Sequence, residues 1–162
     1  IRKGFMYLLN AFQRLMHPNK ELWVVGKVST EIEDLLKGKQ LERLKFLGVV
    51  ANDRLAEIYS TANVFVLPSL EEGLAMVQGE ALACGCPIIS STNSGAEDLI
   101  THGKEGFIVP IRSEEAILES FQKLLDKPTL RDEMSEAALK RVIQLGGWDV
   151  YGDNYANLVR SL

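Results

Sequence analysis

The chain has 162 residues, 46% of them hydrophobic, which is enough for one substantial buried core rather than two full domains. Its 18 basic and 22 acidic side chains are interspersed and sum to a formal charge of -4, so no broad positive field exists to attract nucleic acid. No apolar run reaches the roughly 20 residues that span a bilayer, and the opening Ile1-Arg2-Lys3-Gly4 lacks the apolar stretch and cleavage site of an export signal, which reads as a cytoplasmic protein.

Phe5, Leu8, Leu9, Phe12 and Leu15 recur at helical spacing and predict a helix over 5–15, stopped ahead of Pro18. The run Leu22-Trp23-Val24-Val25-Gly26 is extended, and a helix over 30–37 follows, capped by Ser29 or Thr30. A short strand is expected over 45–48, then a helix from Asn52 or Asp53 to Tyr59, then a buried strand over 63–69 that ends in a turn. Helix 76–84 leads to strand 87–90, and 106–110 is one more short strand. From Ser113 onward the pattern is helical, over 114–125, 130–145 and 150–162.

Strands alternating with single helices imply right-handed crossovers and one parallel sheet covered on both faces. The fold class is therefore α/β, a doubly wound Rossmann-like domain whose ligands belong beyond the carboxyl ends of its strands. Such a sheet starts on a strand, whereas this chain starts on a helix, so the expectation is a single domain over 1–162 that lacks its first strand. Cys84 and Cys86 stand too close for an ordinary disulfide and are too few for a tetrahedral zinc site, so they are expected to be reduced and packed. His17 and His102 lack ligand-spaced partners and read as structural or solvent-facing, leaving no metal site.

The stretch from Pro68 to Pro87 joins a buried strand to a helix through the acidic turn Leu70-Glu71-Glu72-Gly73-Leu74-Ala75-Met76. Gly73 permits close approach to the backbone, and the free amides of Leu74, Ala75 and Met76 at a helix start favour an anion such as a diphosphate. Glu72 and Glu80 flank that cradle, and since like charges repel, their natural partners are hydroxyl groups on either side of the diphosphate, as in a nucleotide sugar. On the residues alone the alternative stays open that Glu71 and Glu72 are first-turn acids favoured by the helix dipole, by about 0.3–1 kcal/mol each, with Glu80 solvated. Ala81, Ala83, Cys84 and Gly85 are small residues suited to close helix packing.

The spacing from Glu72 to Glu80, followed by Ala81-Leu82-Ala83-Cys84-Gly85-Cys86-Pro87-Ile88-Ile89, resembles the E-x7-E signature and the small-residue segment after it in family 4 (group 1) retaining glycosyltransferases. The resemblance extends through Arg2-Lys3-Gly4-Phe5 with Leu8-Leu9 and Ala11-Phe12, through Leu22 to Gly26, Phe46-Leu47-Gly48-Val49-Val50, Tyr59 to Ser69, and Gly103 to Val109. It implies the C-terminal, donor-binding half of a two-domain GT-B enzyme, with the acceptor-binding N-terminal domain outside this sequence. It further implies that Lys3 contacts the donor diphosphate and Glu80 holds the ribose hydroxyls. Glu72 stands beside the transferred sugar as the catalytic carboxylate, the amides of Gly73, Leu74, Ala75 and Met76 line sugar and phosphates, and the backbone at Val50 meets the base. Leu74 and Ala75 depart from the family pattern, which carries an aromatic residue and a glycine there.

What the resemblance implies for function is transfer of a sugar from a nucleoside diphosphate to a glycan, lipid or other acceptor with retained anomeric configuration. No cofactor or separate metal is expected, and the full enzyme is expected in the cytoplasm, peripheral at the inner face of a membrane. Three other readings compete. One is a nucleotide-sugar epimerase of the same architecture, one a hydrolase using Glu72 and Glu80 across a glycosidic bond, and one a non-catalytic module that binds a nucleotide sugar or a protein.

Overall fold

The structure is a computed structural model describing residues 2–39 and 41–160. Helix α1 (Phe5–Arg14) turns Leu8, Leu9, Ala11 and Phe12 inward, as its apolar spacing requires. It ends short of Pro18, and the ammonium of Lys20 donates to the carbonyls of Phe12, Gln13 and Leu15, a cationic cap at the negative end of the helix. Burial there lowers the Lys20 pKa. Strand β1 (Leu22–Val25), helix α2 (Thr30–Leu36) and strand β2 (Leu44–Gly48) follow, with Ser29 capping α2 by accepting from the Ile32 amide.

Helix α3 (Asn52–Thr61) leads to strand β3 (Phe65–Leu67), which is shorter than the expected 63–69 at both ends and stops at Pro68, which has no N–H to continue the ladder. Then come α4 (Met76–Ala83), β4 (Ile88–Ser91), α5 (Ala96–Leu99) and β5 (Gly106–Val109). The one-turn α5 is not among the expected elements, since four residues are too few to show a helical period. Helices α6 (Glu114–Asp126), α7 (Pro128–Leu145) and α8 (Trp148–Arg160) complete the chain. Residues 161 and 162, the end of the expected last helix, lie outside the described residues. No helix among the described residues is long and apolar enough to cross a membrane.

All paired strands are parallel, as expected, and among the described residues they form two sheets, β1–β2, and β3–β4–β5 with β4 central. The two sheets differ in burial. Every residue of β4 is buried, whereas Trp23 and Val25 of β1 and Phe46 and Leu47 of β2 remain 39–45% exposed.

Around β4 the alternation of the strand divides the core. Ile89 packs on one face with Leu8, Phe12, Phe107, Ile117 and Met134, and Ile88 packs on the other with Tyr59, Leu82, Ala96 and Ala138. Helices α1 and α6 thus cover one face and α3, α4 and α5 the other, while α7 reaches both through Met134 and Ala138. Cys86 is a packed thiol of the second cluster, free like Cys84, and burial pushes its pKa up to about 12. Helix α8 buries none of its described side chains fully.

Ile89 is fully buried and Ile143 is 80% exposed. Ile89→Ala should therefore lower unfolding free energy by about 2–5 kcal/mol in a denaturant titration, and Ile143→Ala should stay within about 0.5 kcal/mol of the parent.

Candidate functional site

The segment between β3 and α4 has no regular structure of its own, and neighbouring segments hold it from two sides. On the first side, residues 2–4 cross the end of β3. The Leu70 amide donates to the Arg2 carbonyl at 2.8 Å. Gly4 is left-handed (φ 70°), and a Cβ on it would lie 1.9 Å from the Pro68 carbonyl oxygen, so only glycine fits. This seat delivers Lys3 onto the turn, where its ammonium donates to Glu72 Oε2. The bond from Lys3 holds the Glu72 carboxyl below its usual pKa against the opposing effect of burial.

On the second side lies the polar run of residues 90–95, immediately after β4. The Glu72 amide donates to the Asn93 carbonyl at 2.9 Å, and the Asn93 side-chain amide donates back to the Leu70 carbonyl at 3.1 Å. Ser91 Oγ donates to the Ser69 carbonyl, Ser90 Oγ to that of Leu67, and Ser94 Oγ lies 2.8 Å from Ser90 Oγ. From inside α4, Gln78 Nε2 donates to the Ser94 carbonyl at 2.7 Å. Ser69, Gln78, Ser90, Ser91 and Ser94 are all fully buried, and two atoms of this clasp, Ser69 Oγ and Gln78 Oε1, have no partner. Gly95, left-handed at φ 69°, comes so near the turn that a Cβ would stand 3.0 Å from Leu74 Cα.

Between these two holds the turn is open outward. Helix α4 begins at Met76 with Ala75 as its N-cap and no side chain accepting from its first amides. Gly73 is neither left-handed nor crowded, since a Cβ there would meet nothing within 4 Å. Its glycine is thus not demanded by internal packing. Leu74 and Met76 are 56% and 61% exposed, while Ala75 is buried at 8%, so the methyl at that departure from the family pattern is turned away from the open surface. Glu80, half-buried one helical turn and more beyond, accepts from the Tyr59 hydroxyl at 3.4 Å. Burial first, then Glu80, pushes the Tyr59 pKa up to about 12.

The structure therefore brings together Lys3, Glu72 and the 73–76 turn, with Glu80 on the helix that the turn opens. Val50 stands apart, half-buried just past the end of β2 in the other sheet. The histidines serve structure: His102 Nδ1 accepts from the Ile108 amide at 3.1 Å, and His17 Nδ1 from that of Asn19 at 3.3 Å. Sequence reasoning passed over Asn93, Ser94, Gln78 and Tyr59. The signal for the first two was the run Ser90-Ser91-Thr92-Asn93-Ser94-Gly95, a loop composition following an apolar strand. A cation, an uncapped helix start and a carboxylate at one turn can hold an anion whose neighbouring groups donate hydrogen bonds.

Residues 1–141 match the family described as glycosyl transferases group 1. The chain belongs to that family. Among its relatives are a capsular polysaccharide biosynthesis glycosyltransferase from Staphylococcus aureus, 30% identical over 86% of this chain and 38% of the relative. Another is a GDP-mannose-dependent monoacylated alpha-(1-6)-phosphatidylinositol monomannoside mannosyltransferase from Corynebacterium glutamicum, 28% identical over 99% of this chain and 44% of the relative. The fold matches that of a sucrose-phosphate synthase from Thermosynechococcus elongatus with a TM-score of 0.85 at 29% identity, over 99% of this chain and 43% of that one. The chain thus spans less than half the length of the relatives it matches. This group 1 glycosyltransferase domain shares the fold of less than half of that structural neighbour, a GT-B enzyme.

Asn93→Ala removes the side-chain bond to the Leu70 carbonyl, a loss of about 0.5–1.5 kcal/mol. Hydrogen exchange at the amides of 70–76 should accelerate in this glycosyltransferase domain, while β4 exchanges as before.

Proposed function

We propose that this chain is the donor half of a retaining glycosyltransferase and binds a nucleoside-diphosphate sugar across the turn that opens α4. The observation that carries this reading is the seating of Lys3 against Glu72 at an uncapped helix start. The ammonium and the amides of residues 73–76 receive the diphosphate and stabilise the charge that grows on it as the glycosidic bond breaks. Glu80, one face of α4 further on, accepts from the ribose hydroxyls, and Glu72 accepts from the sugar and orients its anomeric carbon. The backbone at Val50 meets the base. In this reading charge on the leaving group is met by Lys3 and the helix start, without a separate metal.

The relatives support the reading through the chemistry in their names, which includes a GDP-mannose-dependent transferase, a capsular polysaccharide enzyme and a sucrose-phosphate synthase. Those names span different acceptors, so the acceptor is proposed at the level of a glycan or lipid, held by a second domain of the full-length protein in the cytoplasm or at the inner membrane face. The open outer side of Gly73 fits a ligand laid against the backbone there.

Calorimetric titration of the full-length protein with UDP, GDP and ADP tests this. One of the three is expected to bind, and Glu80→Ala is expected to weaken it by about tenfold or more, the loss of a charged hydrogen bond of about 1.5–3 kcal/mol. Failure of all three to bind, or an unchanged affinity in Glu80→Ala, would contradict the assignment.

A further inference from the structure

We infer that Glu72 acts as a gate on Lys3 that discriminates against the bare nucleoside diphosphate in favour of its sugar ester. The inference rests on the donor-site reading above and adds to it a second task for Glu72. The backbone that carries each member of the pair is held in place independently of the other. Lys3 is set by the Leu70–Arg2 bond and the Gly4 seat on Pro68, and Glu72 by its amide on the Asn93 carbonyl. The two side chains are therefore held within reach of each other and are paired in this structure, with Glu72 at 17% and Lys3 at 51% exposure.

An ammonium bonded to a carboxylate is not fully available to a phosphate. A nucleoside diphosphate arriving at the turn must draw Lys3 away and then lie beside a carboxylate that has lost its counter-ion, so like charges face each other. The sugar ester meets a different Glu72. Its hydroxyls donate to the carboxylate and replace the bond to Lys3, and esterification removes one ionisable oxygen from the terminal phosphate. The pair thus penalises the bare diphosphate more than the sugar ester. After transfer the sugar hydroxyls are gone, Glu72 recaptures Lys3, and the product nucleoside diphosphate is released.

The test compares Glu72→Gln with the parent, as full-length protein, by calorimetric titration with UDP, GDP and ADP and with UDP-glucose, GDP-mannose and ADP-glucose. Glutamine keeps the shape and removes the charge. For the base that binds, the bare diphosphate should bind about two- to fivefold more tightly to Glu72→Gln, the scale of a half-exposed ion pair, while its sugar ester gains nothing or weakens. In a Lys3→Met background the same substitution should give at most half of that tightening, because the cation it releases is absent. Weaker or unchanged binding of the bare diphosphate by Glu72→Gln, in a protein whose parent binds it, overturns the gate and leaves the donor site standing. A parent that binds none of the six ligands overturns the donor site and the gate with it.

Discussion

The hydrogen bond from the Glu72 amide to the Asn93 carbonyl, with the return bond from the Asn93 side chain to Leu70, is the constraint on which the site depends. A turn without regular structure leaves its own backbone groups unpaired, and each buried one must find a partner elsewhere. Here the partner is the loop after the central strand, itself held by buried serines and by Gln78 reaching back from α4. The helix that presents its first amides also supplies the side chain that locks the loop defining where those amides point. The opposite edge is closed by the glycine seat at position 4, which brings a lysine from the chain start to a carboxylate 69 positions away.

The division of labour between the two sheets follows from the same physics. The β3–β4–β5 sheet is covered by helices on both faces and forms a rigid floor, and the turn rises from the end of β3 next to the fully buried β4. The β1–β2 pair keeps aromatic and aliphatic side chains partly in solvent, and Val50 lies at its end. Positions that must be held to fractions of an ångström thus stand on the well-packed sheet. The proposed base contact, which uses backbone only, stands on the looser one.

Much of this was legible in the residues. Ile88-Ile89 reads as a buried strand because nothing polar interrupts it, α1 reads from its spacing, and Glu72 and Glu80 stand out because a glycine-bearing turn separates two acids. What local pattern could not supply was the long-range contact. The pairing of Lys3 with Glu72 and the Asn93 bridge each join segments that no period links. The division of the parallel strands into two sheets was not legible either, since strands announce themselves by composition and their lateral pairing does not. Gln78 inside α4 is fully buried because it clasps the loop after β4, a contact that its own helix does not announce.

The central claim is that Lys3 and the start of α4 form the diphosphate cradle of a nucleotide-sugar site. The most direct measurement is a crystal structure of the full-length protein with the nucleoside-diphosphate sugar it binds. The account predicts the diphosphate against the Lys3 ammonium and the amides of residues 73–76, the ribose hydroxyls on Glu80, and Glu72 released from Lys3 onto the sugar. A diphosphate bound elsewhere, with the Lys3–Glu72 pair intact beside an empty turn, would contradict it.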